Sequence, residues 1–313
     1  MSAYYPYTYA ISTTKLVKQY GLEVALQGLE LNIEPGIRYA LLGCNGAGKT
    51  TTLKILTNIL RPTEGEARLL GVETSKMKRD LIERIGFVSE SQKLPEWMTV
   101  NNLLKYIRPM YRYWDEALTS QLIDTLEIPT HKRIRGFSRG MKLKAKLLSV
   151  LPAHPKVLMM DEPMSGLDPL VREDCLKAIQ DWSESTEGTL LVSSHDIEDI
   201  APVIDRIGIL HKGKLFMEAN TEDLQQTHKR LIIERSEITP PNAELPEHWT
   251  LVNKNESTLT YIDTQYNSES TESLARSIHA NMSSFTVEDM RLKEIYVHYA
   301  SVLRKRNYAT AAA

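Results

Sequence analysis

The fold can be predicted from one stretch of the sequence, Gly43-Cys44-Asn45-Gly46-Ala47-Gly48-Lys49-Thr50. It matches the pattern GxxxxGK[ST], in which glycines let backbone N–H groups turn inward around a β-phosphate at the N-terminus of a helix. We expect Lys49 to reach the β- and γ-phosphates of a nucleotide and the Thr50 hydroxyl to ligate Mg²⁺. The other residues expected to bind the nucleotide here are Gly43, Asn45, Gly46, Ala47, Gly48 and Thr51.

The segments on either side of this loop have the pattern that a phosphate loop requires. Arg38–Leu42 is an apolar run that predicts a buried strand leading into the loop. Residues 50–60 have apolar side chains at helical spacing, and Arg61-Pro62 would end that helix. This strand, loop and helix favour a phosphate loop over the alternative, a glycine turn with a solvated lysine.

Two acidic residues follow a second apolar run. Residues 157–160 predict a buried strand, and Asp161 and Glu162 come directly after it. A phosphate loop needs a second metal anchor, normally an acid at the end of a neighbouring strand. We expect Asp161 to hold Mg²⁺, directly or through water, and Glu162 to orient or deprotonate the attacking water beside the γ-phosphate. Without the phosphate loop, the same residues would be equally consistent with an ordinary strand end.

Strand and helix patterns alternate along the first two thirds of the chain, which indicates an α/β fold with a mostly parallel sheet. Residues 92–151 have helical patterns and little strand signal, so we expect a helical insertion there. Residues 207–210 and 214–217 predict a hairpin. We expect one domain over residues 1–220 and a small α/β appendage over residues 221–313. The appendage's expected strands lie near residues 231–233 and 258–262, and its helices at residues 272–280 and 287–303.

Composition excludes several classes of function. The formal net charge of −2 gives no electric field that would attract nucleic acid, so we expect no nucleic-acid partner. Cys44 and Cys175 are too few for a disulfide framework and lack metal-ligand spacing, which fits a reducing compartment. No stretch approaches the ~20 apolar residues that cross a bilayer. We therefore expect a cytoplasmic protein that needs another chain to cross any membrane.

Over residues 10–220, the order and spacing of the motifs resemble those of the ABC ATPases. The resemblance implies a P-loop NTPase core with an N-terminal antiparallel β subdomain and a helical insertion. The segments that show it, besides the phosphate loop, are Tyr20, Glu90/Gln92, Phe137-Ser138-Arg139-Gly140-Met141, Asp161-Glu162, Ser165-Gly166-Leu167-Asp168 and His195.

The resemblance also implies roles for single residues. Tyr20 matches the aromatic residue that stacks on adenine. Ser138 and Gly140 match the signature that binds the γ-phosphate held by the opposite subunit, at a helix N-terminus. Asp168 matches the aspartate that bridges the subunits, and His195 the second catalytic residue, which contacts the γ-phosphate and the attacking water. The alternatives are an ordinary tyrosine, a helix cap, a turn residue and a structural histidine.

The sequence departs from the family pattern at Cys44 of the phosphate loop, where proline is common, and in two further motifs. Phe137, Arg139 and Met141 differ from the usual signature, and the resulting variant is similar to that of exporter ATPases which pair with permeases of the ABC-2 kind. Glu90 occupies the position of a glutamine that normally links Mg²⁺ to the membrane partner. We expect Glu90 to approach the metal, with Gln92 as the alternative.

The resemblance therefore implies the ATP-binding and ATP-hydrolysing subunit of an ABC exporter, with ATP and Mg²⁺ as cofactors. It implies a homodimer, or a heterodimer with a related ATPase, that closes around two ATP molecules and drives an integral membrane permease from the cytoplasmic face. The helical insertion and the loop after residue 89 would attach to that permease, and residues 97–100 and 111–114 either line the attachment groove or belong to the core. A soluble regulatory ABC-type ATPase acting on a protein or nucleic acid is the alternative.

Overall fold

The structure is a computed structural model that describes residues 6–236, 244–279 and 281–311. It forms two compact units, one ending at Glu218 and the other beginning at Ala219. The strands of the first unit are β1 (Ile11–Tyr20), β2 (Glu23–Ile33), β3 (Arg38–Leu42), β4 (Glu64–Leu69), β5 (Val72–Glu73), β6 (Ile85–Ser89), β7 (Val157–Asp161), β8 (Thr189–Ser194), β9 (Arg206–His211) and β10 (Lys214–Asn220). Its helices are α1 (Lys49–Leu56), α2 (Arg79–Ile82), α3 (Val100–Ile107), α4 (Glu116–Thr125), α5 (Arg139–Leu148) and α6 (Pro169–Thr186).

The central sheet has six strands in the order β10-β9-β3-β8-β7-β6. β3 runs parallel to β8 and β9, and β7 runs parallel to β6 and β8. Every residue of β7 and β8 is buried, which explains their continuous apolar runs. Lys212 and Gly213 join β9 to β10 with φ angles of 47° and 75°, as a two-residue hairpin turn requires. The predicted α/β fold with a mostly parallel sheet is confirmed.

A second sheet, in the order β2-β1-β4-β5, is antiparallel. Its buried Leu29 and Leu31 belong to the same hydrophobic cluster as Leu41 of β3 and Leu53 of α1. The N-terminal antiparallel β subdomain is therefore present, and its core is continuous with that of the central sheet.

Helices α3, α4 and α5 occupy the region predicted as a helical insertion. A polar side chain caps each of them, from Thr99, Asp115 and Ser138 respectively. α1 is shorter than the sequence pattern indicated, because Asn58 adopts φ 57° and ends the helical path. No helix among the described residues is long and apolar enough to cross a membrane.

The second unit contains three helices and the strands β11 (Lys229–Arg235), β12 (Trp249–Lys254), β13 (Thr258–Asp263) and β14 (Met282–Asp289). The strands form an antiparallel sheet in the order β12-β13-β11-β14. The prediction of a helix from residue 287 was wrong at its start, because Val287 lies in a strand opposite Leu231. Alternating burial of Phe285 and Val287 against the sheet's core explains the strand. Ala280, the predicted end of the preceding helix, lies outside the described residues. The helices are α7 (Thr221–Thr227), α8 (Thr271–Ile278) and α9 (Leu292–Ala311).

Candidate nucleotide site

The N-terminus of α1 lacks the side-chain cap that α3, α4, α5 and α6 have. Gly48 precedes α1 and provides no side-chain cap, whereas Thr99, Asp115, Ser138 and Asp168 cap α3, α4, α5 and α6. The first N–H groups of a helix have no acceptor within the helix. At α1 those groups, with the positive end of the helix dipole, are therefore available to an anion such as phosphate.

Close packing explains two glycines of the phosphate loop. A Cβ atom at Gly48, where φ is +110°, would lie 2.7 Å from the carbonyl oxygen of Ala25 in β2. A Cβ atom at Gly43 would lie 2.5 Å from the carbonyl oxygen of Leu210 in β9. The loop is thus held between the two sheets of the unit, and larger residues at these positions would displace it.

Lys49 is buried at the start of α1 and has three oxygen atoms around its ammonium group. Its Nζ atom donates to the carbonyl oxygen of Gly43 at 2.6 Å and lies 3.4 Å from that of Cys44. It also lies 3.1 Å from Glu162 Oε1, a buried atom that makes no aligned hydrogen bond with the described residues. The cation therefore links the phosphate loop to the end of β7.

A group of oxygen atoms lies beside the loop, from the buried Asp161 and Ser193 and the half-buried Thr50. Asp161 Oδ1 accepts hydrogen bonds from Thr50 Oγ1 at 3.0 Å and from Ser193 Oγ at 2.8 Å. Carboxylate and hydroxyl oxygens are the ligand types that suit Mg²⁺, which keeps few protein ligands and completes its shell with phosphate and water. The residues present fit such an ion. Among the described residues, no cluster of three or more His, Cys, Asp or Glu side chains forms a metal site.

Glu162 and His195 are joined at the carboxyl ends of β7 and β8. His195 Nδ1 donates to Glu162 Oε2 at 2.7 Å, and the backbone N–H of Glu162 donates to Ser193 Oγ at 3.1 Å. Glu162 has φ +48°, an unfavourable conformation for a residue with a side chain. Burial opposes ionisation, but the His195 hydrogen bond and the Lys49 charge outweigh it, so the pKa of Glu162 lies below its ordinary value.

A pocket of about 420 Å³ opens over the phosphate loop. Tyr20 is 44% exposed at its edge, and Lys18 Nζ lies 5.2 Å from the centre of the tyrosine ring. A half-exposed aromatic face beside the loop is available for stacking by a planar base. The lining residues are Tyr20, Glu23, Ala25, Cys44, Asn45, Gly46, Ala47, Gly48, Lys49, Thr50, Thr51 and Glu162.

The structure does not bring the remaining predicted nucleotide residues into this pocket. Ser138 Oγ accepts from the N–H of Met141 at 3.3 Å, and Asp168 Oδ1 accepts from the N–H of Leu170 at 3.0 Å, so both cap helices. Gly140 allows close packing of α5 on α6, because a Cβ atom there would lie 2.6 Å from Val171 Cγ1. Within one chain these residues are therefore separate from the phosphate loop.

The backbone of Glu90 contacts a residue expected to bind the metal, but its carboxylate contacts a different residue. Its N–H donates to the carbonyl oxygen of Asp161 at 3.1 Å, whereas its carboxylate forms an ion pair with Arg139. The sequence did not predict that Arg139 pairs with Glu90 or that Ser193 bonds to Asp161. It also did not predict Lys146, which donates to the backbone carbonyl oxygen of Glu90. Ser193 lies two residues before His195, and that proximity was the available signal.

Comparison with known proteins gives a consistent result. Residues 26–165 match the family described as ABC transporter. The bacitracin transport ATP-binding protein BcrA of Bacillus licheniformis is 32% identical over 224 residues, 71% of this chain and 73% of that protein. The daunorubicin/doxorubicin resistance ATP-binding protein DrrA of Streptomyces peucetius is 30% identical over 228 residues, 70% of this chain and 68% of that protein.

Two solved structures share the fold. An ATP-binding subunit of an ABC transporter has a TM-score of 0.62 and 24% identity, over 69% of this chain and 92% of that one. A dimeric ATP-binding cassette in a post-hydrolysis state with ADP and Pi has a TM-score of 0.60 and 22% identity, over 67% and 98% respectively. The chain belongs to the ABC transporter family, as an ATP-binding subunit that hydrolyses ATP.

Proposed function

We propose that the chain is the ATPase subunit of an exporter and works as a dimer closed around two ATP molecules. One observation carries this proposal. The phosphate loop, Asp161 and Glu162 converge within one chain, whereas Ser138 and Asp168 lie at other helix starts, where they would complete the site of a second copy. That copy is either identical, giving a homodimer, or a related ATPase, giving a heterodimer.

Glu162 and His195 have different catalytic roles in this proposal. Glu162 is the general base, because its low pKa keeps it ionised and able to accept a proton from the attacking water. His195, the second catalytic residue in this proposal, orients that carboxylate by donating to it through Nδ1. Lys49 and the N–H groups of α1 bind the phosphates, and Tyr20 stacks on the adenine.

Mg²⁺ is the second cofactor in this proposal, held by Thr50 and Asp161, with Glu90 approaching it from the end of β6. When bound, the ion neutralises negative charge on the phosphates. Ser193 keeps the Asp161 carboxylate oriented, since its hydroxyl donates to Oδ1.

A membrane permease of the ABC-2 kind is the proposed partner, with the chain at the cytoplasmic face of the membrane. BcrA is a bacitracin transport protein and DrrA is a daunorubicin/doxorubicin resistance protein, which supports a transporter over a soluble regulatory ATPase. Large apolar side chains are exposed in the helical insertion, including Trp97 at 71%, Tyr106 at 60% and Tyr113 at 60%. Met98 and Val100 are buried, so residues 97–100 are divided between surface and core.

The partner can be tested by purification from membranes. The tagged chain, solubilised from its own cells in mild detergent, is expected to retain an integral membrane protein with about six apolar spans. The double variant W97A/Y113A should retain at least about fivefold less of it, because large aromatic side chains contribute most to an interface. Ile59→Ala, which removes an exposed side chain outside the insertion, is the matched control. Recovery of the wild-type chain with cytosolic proteins alone would contradict the transporter assignment.

Glu90 and Gln92 can be distinguished by substitution. Glu90→Ala is expected to lower Mg²⁺-dependent ATP turnover about tenfold or more, because the carboxylate that would approach the bound metal is lost. Gln92→Ala should change it less than threefold. Turnover is measured as phosphate release across a Mg²⁺ series. A larger loss at Gln92 would show that Gln92 is the residue that approaches the metal.

A further inference from the structure

The two motifs that depart from the family pattern outside the phosphate loop contact each other. Glu90 directly follows β6, and Arg139 is the first residue of α5. Their side chains form an ion pair, so the unusual acid and the unusual base neutralise one another.

Arg139 also contacts the segment that leads to Asp168. A Cβ atom at Gly166 would lie 2.9 Å from Arg139 Nη1, so the guanidinium group occupies the space beside this glycine. Arg139 therefore lies between the loop after β6 and the turn before α6. A change in the position of its side chain affects both segments.

The backbone and the carboxylate of Glu90 are held differently. Lys146, buried seven residues after Arg139 on α5, donates through Nζ to the carbonyl oxygens of Ser89 at 2.7 Å and Glu90 at 3.2 Å. The N–H of Glu90 is bonded to Asp161. By contrast, the side chains of Arg139 and Glu90 are 47% and 49% exposed. Exposed ion pairs are weak and screened by salt, so the carboxylate can change partner while the backbone stays fixed.

We propose that Arg139 competes with nucleotide-bound Mg²⁺ for the carboxylate of Glu90. The metal, when bound beside Asp161, is a doubly charged alternative partner within reach of a residue whose backbone already contacts that aspartate. Exchange of Glu90 from Arg139 to the metal releases the guanidinium group at the start of α5, next to Ser138. Arg139 is thus a positioning residue that links occupancy of the metal site to the signature helix. This inference rests on the proposed role of Glu90.

A double-mutant cycle on nucleotide binding tests the competition without any measurement of hydrolysis. The Kd of a non-hydrolysable ATP analogue is measured calorimetrically in EDTA and in saturating Mg²⁺. The ratio of the Kd in EDTA to the Kd in Mg²⁺ reports how much the metal stabilises the bound nucleotide. Arg139→Met should raise this ratio about two- to fivefold, because the competitor for Glu90 is lost. Glu90→Ala, which leaves no oxygen ligand at this position, should lower the ratio. Arg139→Met should have no further effect in the Glu90→Ala background.

Matched variants separate this effect from a change in folding. Lys142→Met removes another ion pair of α5, with Glu96 at 2.8 Å, and should leave the ratio unchanged. Arg139→Lys retains a positive charge and should give a ratio between those of the wild type and Arg139→Met. An equal effect of Arg139→Met with and without Glu90 would show a structural role and overturn the proposal. A ratio of one for the wild type would mean that Mg²⁺ does not stabilise the bound nucleotide. That result would instead overturn the proposed metal role of the site.

Discussion

Glu162→Gln is expected to lower ATP turnover by at least about a hundredfold, the contribution that a positioned general base makes. The side chains are nearly identical in shape, but the amide cannot accept a proton from water. Binding of ATP depends on Lys49 and the loop, so the variant should still bind ATP. Because hydrolysis no longer opens the dimer, an ATP-bound dimer should accumulate and be detectable by light scattering.

The matched control is Glu173→Gln, an exposed substitution on α6 that should leave turnover unchanged. Normal phosphate release by Glu162→Gln would show that another group is the base.

The pH dependence adds a second check. Since the pKa of Glu162 is lowered, the ionised form persists below the pH at which an ordinary glutamate is protonated, and turnover should not fall with protonation of this group between pH 6 and 8.

The same pKa shift has a consequence for stability. A carboxylate whose pKa is lowered on folding stabilises the native state above its unfolded pKa, and this contribution is lost as the pH falls through the folded pKa. Replacement by glutamine removes that contribution, so the variant's free energy of unfolding should depend less on pH in the acid range.

Lys49→Ala is expected to raise the Kd for ATP by about a hundredfold or more, because one desolvated charged contact to phosphate contributes about 2–5 kcal/mol. Lys49 Nζ already contacts the carbonyl oxygen of Gly43 and the carboxylate of Glu162, so its removal also leaves a buried carboxylate without its cation. The pKa of Glu162 should consequently rise. Calorimetric titration with ATP and Mg²⁺ measures the loss of affinity.

Lys54→Ala is the control for this variant, since Lys54 lies on the same helix but does not line the nucleotide pocket. Thermal unfolding of both variants in the absence of nucleotide shows whether the loop remains folded. Unchanged ATP affinity in a folded Lys49→Ala protein would contradict the assignment of residues 43–50 as the phosphate-binding loop.

Much of the fold was predictable because its signals are local. The apolar run at 38–42, the glycines of the loop and the lysine at its end are adjacent in sequence, and each restricts the backbone directly. The second unit was less predictable. The sequence predicts a helix from residue 287, because the spacing from residue 287 to residue 290 fits a helical period. Residues 287–289 instead end the strand Met282–Asp289, which pairs with β11.

By itself the sequence determined the phosphate loop, the acids at 161–162 and the family resemblance, because each depends on residue type at short spacing. Only the tertiary structure showed that Ser193 bonds to Asp161, that His195 bonds to Glu162, and that Arg139 is paired with Glu90. These partners are 32 to 49 residues apart in sequence. Their contact depends on the order of strands in the central sheet and on the packing of α5, which no local pattern specifies.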